Sequence, residues 1–152
     1  MTILEQLARH AQERTEQAKS KTSLEEIKRQ ALNLPKGDFA FENALKGKDI
    51  AFICECKKAS PSKGLIAPYF PYLEIAKEYQ EGGADCLSVL TEPKWFLGSS
   101  QYLKDIAAKV SLPCLRKDFT VDPYMIYEAK VIGADAVLLI CAILDDDSLK
   151  KY

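Results

Sequence analysis

From Ile50 onward, short apolar runs alternate with amphipathic stretches, and this alternation constrains the fold more than any other feature of the chain. Parallel strands need crossover connections long enough to hold a helix, so strand-length runs separated by helix-length segments read as βα units on a parallel sheet. Strands are predicted near residues 50–57, 85–91, 113–118 and 135–141. Helices are predicted near 71–81, 100–110 and 123–132, with a fourth starting around Asp146. The punctuation agrees: Gly82-Gly83 and Gly133 stop helices, while Asp122-Pro123 supplies an N-cap followed by proline at the first helical position. An internal echo points the same way, since Gly83-Ala84-Asp85-Cys86-Leu87 resembles Gly133-Ala134-Asp135-Ala136-Val137, each opening a strand after a helix.

Before the alternation, residues 3–19 and 24–34 read as two amphipathic helices. Leu4, Leu7, Ala8 and Ala11 form the apolar stripe of the first, and Ser23 with Glu26 gives the second a capping-box start. Pro35-Lys36-Gly37-Asp38 breaks the pattern, and a loop carrying Phe39 and Phe41 is expected to lead into the first strand. The predicted organisation is therefore a helical extension over 1–48 and four βα units over 49–152. Four such units amount to half of the roughly 250-residue eightfold barrel, so either the sheet is open or the barrel is cut.

Charge and cysteine usage exclude several roles. With 21 basic and 22 acidic residues, the chain carries no field to gather nucleic acid or an anionic membrane. The longest apolar run, Ala136 to Leu144, is far short of the roughly 20 residues of a membrane-spanning helix. No basic-then-apolar leader marks the first residues, so a cytoplasmic location is expected. The five cysteines lie in apolar, strand-like segments and read as free core thiols; Cys54-x-Cys56 lacks zinc spacing. The lone histidine, His10, lies in a polar helix and is not read as catalytic, which leaves acid–base chemistry to lysines and carboxylates.

In a parallel barrel, functional groups gather where strands end. At the first exit, period-2 alternation puts Glu55 and Lys57 on one face and Cys54 and Cys56 on the other. Charges pack poorly against covering helices, so Glu55 and Lys57 are expected to face the barrel mouth. The third exit, Leu115-Arg116-Lys117-Asp118-Phe119, likewise turns Lys117 and Phe119 to one face. For a single lysine the plain alternative is a solvated or salt-bridged strand end. Two inward lysines with a carboxylate suit an anionic substrate and proton transfer to oxygen, because one ammonium eases deprotonation of its neighbour. Glu55 would hold one lysine charged and oriented; which lysine is which stays open.

The unbroken run Glu55-Cys56-Lys57-Lys58-Ala59-Ser60-Pro61-Ser62-Lys63-Gly64 resembles the signature of indole-3-glycerol-phosphate synthase. Further similar segments follow in order: Leu90-Thr91-Glu92 with Trp95-Phe96-x-Gly98-Ser99, Leu112-Pro113-x-Leu115-x-Lys117-Asp118-Phe119, Asp122-Pro123-Tyr124-x-Ile126-Tyr127, and Ala134-Asp135-Ala136-x-Leu138-Leu139 with Leu144-Asp145-Asp146-Asp147. The resemblance implies a TIM-type barrel and a carboxy-lyase of tryptophan biosynthesis, acting on 1-(2-carboxyphenylamino)-1-deoxyribulose 5-phosphate without metal or organic cofactor. It implies Lys117 as general acid, Lys57 as partner of substrate anions, and Glu55 as the group that orients both and assists dehydration. Ser60 and Pro61 would shape the first loop, and Phe96, Phe119 and Leu138 would line the pocket for the anthranilate ring; without the resemblance those three read as barrel core.

A further glutamate, an asparagine and a glycine-rich phosphate site of that family have no counterpart among the 152 residues. The chain therefore reads as an N-terminal half, inactive alone, with open sheet edges that invite self-association or a complementary half. Two rival readings remain: an aldolase-like relative with a Schiff base on Lys117, and a non-catalytic half-barrel module whose sheet edge binds a partner.

Overall fold

The computed structural model describes all 152 residues. Helix α1 (Ile3–Lys21) opens at Thr2, whose hydroxyl accepts the Glu5 N–H while the Glu5 carboxylate accepts the Thr2 N–H at 2.6 Å. This reciprocal cap satisfies two donors that the first helical turn leaves without partners. Helix α2 (Leu24–Asn33) is capped by Ser23 and buries Ile27 and Ala31. A short helix, α3 (Ala40–Leu45), then occupies the segment expected to be a loop. It is entered through Phe39 in the left-handed region (φ 61°), and the Asn43 side chain donates back to the Asp38 carbonyl at 2.8 Å.

The strands in chain order are β1 (Ile53–Cys56), β2 (Ala59–Ser60), β3 (Gly64–Leu65), β4 (Cys86–Leu90), β5 (Cys114–Lys117) and β6 (Ala136–Val137). Helices α4 (Tyr72–Glu81), α5 (Ser100–Ala107) and α6 (Pro123–Val131) connect the main strands, and α7 (Asp146–Lys151) follows β6. β1, β4, β5 and β6 form one sheet in that order with every pair parallel. This is the expected α/β architecture of part of a TIM-type barrel. All four strands are shorter than predicted, β1 and β6 most of all. β1 and β6 each pair on one side only, so fewer of their residues complete a ladder than the apolar runs suggested. The antiparallel β2–β3 hairpin in the loop after β1 was not anticipated.

The Gly-Ala-Asp echo has a structural cause. Gly83 and Gly133 take φ of 89° and 91°, the left-handed conformation that ends α4 and α6. The alanine N–H then bonds back into the helix, to Tyr79 at 3.0 Å and Ala129 at 2.9 Å. The aspartate reaches the neighbouring strand: Asp85 accepts the Phe52 N–H and Asp135 accepts the Cys114 N–H, both at 2.8 Å. Each copy thus turns the chain out of a helix and sets the register of the next strand.

Alternation along the strands sorts two faces. Cys56, Leu87, Val89 and Cys114 point to the helices and close a core with Ala76, Leu103 and Ile106, all essentially inaccessible to solvent. Burial on this scale, about 1.5–3 kcal/mol for each large aliphatic side chain, holds the helices to the sheet. The cysteines only partly follow expectation: Cys56, Cys86 and Cys114 are buried and all five are free, but Cys54 is half-buried and Cys141 is exposed. Cys141 falls in a turn beyond the last strand residues and has no sheet neighbour to cover it. The premise that charge packs poorly on the helix side also fails at Arg116. Arg116 lies there, buried, because Glu128 of α6 pairs with its Nη1 at 2.7 Å and the Met125 carbonyl accepts from the same nitrogen at 3.1 Å.

Candidate active site

Glu55 and Ser88 are register partners on β1 and β4, and Leu90 and Lys117 are partners on β4 and β5. Side chains paired this way emerge on one face, so the polar groups of three strands meet on the side away from the core. Glu55 is the hub. Its Oε1 pairs with Lys57 Nζ at 2.9 Å, and its Oε2 accepts from Lys117 Nζ at 2.9 Å and from Ser88 Oγ at 3.1 Å. One carboxylate therefore holds both ammonium groups, where alternation along the strands alone suggested one and the family resemblance implied both. Burial pushes the Glu55 carboxyl up, but the two lysines together outweigh it and hold the group below its ordinary range. With two cations around one anion, the cluster keeps a positive charge for an anionic ligand.

Asp118, one residue beyond Lys117, faces the opposite way and is nearly inaccessible. Arg14 of α1 donates to both its oxygens, Nη2 to Oδ1 at 2.7 Å and Nη1 to Oδ2 at 3.3 Å. Thr91 Oγ1 adds a donor at 2.6 Å, and the Phe119 N–H adds another at 2.8 Å. Burial again pushes this carboxyl up, and Arg14, Arg116 and Thr91 together pull it below its usual range. The chain on either side of Asp118 is Lys117 and Phe119, so this anchor fixes two of the predicted site residues at once.

The loop after β4 is organised by Glu92, which has no solvent exposure. Its Oε1 accepts the Lys94 N–H at 3.0 Å, and its Oε2 accepts those of Trp95 and Phe96 at 2.8 and 3.0 Å. His10 of α1 reaches the same carboxylate, Nδ1 to Oε1, at 3.1 Å. Leu97 follows in the left-handed region (φ 51°), and a Cβ on Gly98 would come within 2.3 Å of the Leu90 carbonyl oxygen. The loop so closed sets the Phe96 ring 6.2 Å from Phe119, centre to centre. Both rings are half-buried, which leaves apolar surface beside the lysine cluster.

Of the remaining predicted residues, Ser60 is buried at the base of the hairpin and its Oγ accepts the Lys63 N–H at 3.2 Å. Pro61 is exposed at the hairpin turn, and Leu138 lies half-buried just past β6. The structure thus brings Glu55, Lys57 and Lys117 together and pairs Phe96 with Phe119. The cavity of about 440 Å³ between α1 and the β4–α5 loop is lined by none of the three charged groups. They stand instead on the face of the sheet away from the core.

Sequence reasoning missed Ser88, Glu92, Asp118, Arg14 and the structural work of His10. The only signal for the last two was their spacing of one helical turn, four residues, which also describes an ordinary solvated face.

Chemically, two ammonium groups on a shared carboxylate can bind anions and deliver a proton to a carbonyl oxygen, while the aromatic pair can hold a planar ring. Comparison with known proteins follows this geometry. A family model described as indole-3-glycerol phosphate synthase matches residues 4–152. Proteins named indole-3-glycerol phosphate synthase are similar throughout: one from Ruminiclostridium cellulolyticum is 58% identical over 151 residues, covering 99% of this chain and 58% of the relative. One from Endomicrobium trichonymphae is 54% identical over 151 residues, again 99% and 58%. One from Lacticaseibacillus casei is 51% identical over 149 residues, 96% and 54%. The chain spans a little over half the length of the curated relatives it matches.

Proposed function

The chain belongs to the indole-3-glycerol phosphate synthase family, and from that premise we propose that it carries the acid–base half of a carboxy-lyase site. The reaction takes 1-(2-carboxyphenylamino)-1-deoxyribulose 5-phosphate to indole-3-glycerol phosphate. A carbon–carbon bond closes the five-membered ring, carbon dioxide leaves the ring carbon that carried the carboxylate, and a hydroxyl departs as water.

The single observation that carries this reading is the Glu55 hub, with Lys57 and Lys117 each 2.9 Å from one of its oxygens. Ring closure needs the sugar ketone made electrophilic, and Lys117 is the general acid that protonates its oxygen. Lys57 pairs with the substrate's anionic groups and shares in proton transfer. Glu55 holds and aims both ammonium groups, and helps remove the hydroxyl in the dehydration. Phe96, Phe119 and Leu138 flank the anthranilate ring, while Ser60 and Pro61 shape the hairpin over it. No step in this scheme calls on a metal or organic cofactor. Five free cysteines with no disulfide suit a reducing compartment, and the reading places the protein in the cytoplasm.

The test is incubation of the full-length protein with the carboxyphenylamino substrate, following the indole chromophore and carbon dioxide release together. Both should appear in equal amounts. A covalent adduct trapped on Lys117 by borohydride, with no indole formed, would replace this reading by the Schiff-base one.

A specific observation also supports self-association. Ile50 and Phe52, just before β1, and Ile53 at its start are exposed at the edge of the sheet. Size-exclusion chromatography of the 152-residue chain should show a concentration-dependent species larger than a monomer. A stable monomer at all concentrations contradicts this.

A further inference from the structure

Glu92 is a buried carboxylate that the scheme above does not use, and its surroundings say what it does. Four donors converge on it: the backbone N–H groups of Lys94, Trp95 and Phe96, and the imidazole of His10. Three successive N–H groups turned toward one point are what the first turn of a helix presents, yet residues 94–96 open no helix. Without an anion at their focus these donors would turn outward to water and the loop would open. The loop also stores strain that something must hold: Leu97 sits at φ 51°, and Gly98 lies so close to the Leu90 carbonyl that no other residue fits.

We propose that Glu92 is a positioning residue for the ring pocket, acting through Phe96, and that His10 keys it from helix α1. This deepens the functional reading and rests on it only for the identity of the ligand, a planar aromatic carboxylate. Phe96 owes its place 6.2 Å from Phe119 to the Glu92 carboxylate. The neighbouring Trp95 reports the same loop, with its ring edge-on to His10 at 5.4 Å and Lys94 Nζ at 4.4 Å over its face. A glutamine at position 92 is nearly isosteric but cannot substitute. Its carbonyl oxygen can serve one side only, so its amide nitrogen must confront either the Trp95 and Phe96 N–H groups or that of Lys94, donor against donor.

The test is a double-mutant cycle on the full-length protein with Glu92→Gln and Phe96→Ala, read as separate kcat and KM values. We expect Glu92→Gln to raise KM for the carboxyphenylamino substrate about tenfold, the scale of one lost hydrogen bond to a charged group, with kcat within about threefold. In the Phe96→Ala background it should add nothing, because the group it positions is already gone. Additive effects, or a fall in kcat at constant KM, overturn the proposal. In parallel, the emission of the 152-residue chain, where Trp95 is the only tryptophan, should shift to the red in Glu92→Gln. Unchanged emission also overturns it. Should Glu92→Gln fail to fold, His10→Phe keeps a ring but removes a single donor and must reproduce the same pattern at smaller size; if it does not, the proposal fails. A wild-type protein without lyase turnover sinks the functional reading alone, and the emission result then decides the role of Glu92.

Discussion

Arg14 grips Asp118 with both terminal nitrogens, at 2.7 and 3.3 Å, across 104 residues of sequence. This fork joins α1 to the residue that separates Lys117 from Phe119, so the N-terminal helix is wired into the strand ends. Lys19 continues the row by pairing with Asp122, the N-cap of α6, at 2.7 Å.

Removing the Arg14 side chain leaves the Asp118 carboxylate buried with fewer partners. Arg14→Met is expected to cost about 3 kcal/mol, the scale for breaking one side of a buried ion pair. Urea unfolding of the two proteins measures this. A difference below about 1 kcal/mol would mean that Arg116 and Thr91 suffice alone.

How far the sequence could show this follows from the range of each interaction. The βα alternation, the helix stops at Gly83 and Gly133, and the shared face of Glu55 and Lys57 are all set by neighbours within a few positions. They were legible for that reason. Lys117 joining Glu55 across 62 residues followed only after the strands had been placed side by side. The partners of His10 and Arg14 could not be read, because their acids lie 82 and 104 residues away and a polar helix face looks the same whether solvated or bonded. The helix over Ala40–Leu45 escaped notice because its entry through a left-handed phenylalanine carries no capping signature.

Acid should weaken the fold through the same carboxylates. Asp118 and Glu55 are both held below their ordinary ranges, so each contributes stability that is fully present above the unfolded-state value of about 4 and is lost as the pH falls through the lower folded value. The stability advantage of wild type over Asp118→Asn should therefore be largest near neutrality and shrink below about pH 4. Urea midpoints of the two proteins across pH 3–7 test this, and an advantage independent of pH contradicts it.

Thiol reactivity should separate sharply. Burial pushes the Cys56 and Cys114 thiols up to about 12 and raises that of Cys86, while Cys141 is exposed. At pH 8 a disulfide reagent should label Cys141 first, with Cys56, Cys86 and Cys114 silent until the chain unfolds. Rapid labelling of any of those three in the native chain would contradict the core described above.

Gly98→Ala places a methyl group 2.3 Å from a backbone oxygen, where neither side can yield cheaply. We expect a loss of more than about 2 kcal/mol, as for overpacked sites. Thermal unfolding reads it, and an unchanged midpoint would show that the loop can relax.

The most direct measurement is steady-state formation of indole-3-glycerol phosphate by the full-length protein and its Lys117→Ala variant, with circular dichroism confirming that both are folded. Loss of a general acid predicts a fall in kcat of about 10²–10⁴. A folded Lys117→Ala protein turning over near the wild-type rate would contradict the assignment of Lys117, and with it the acid–base role given to the Glu55 cluster.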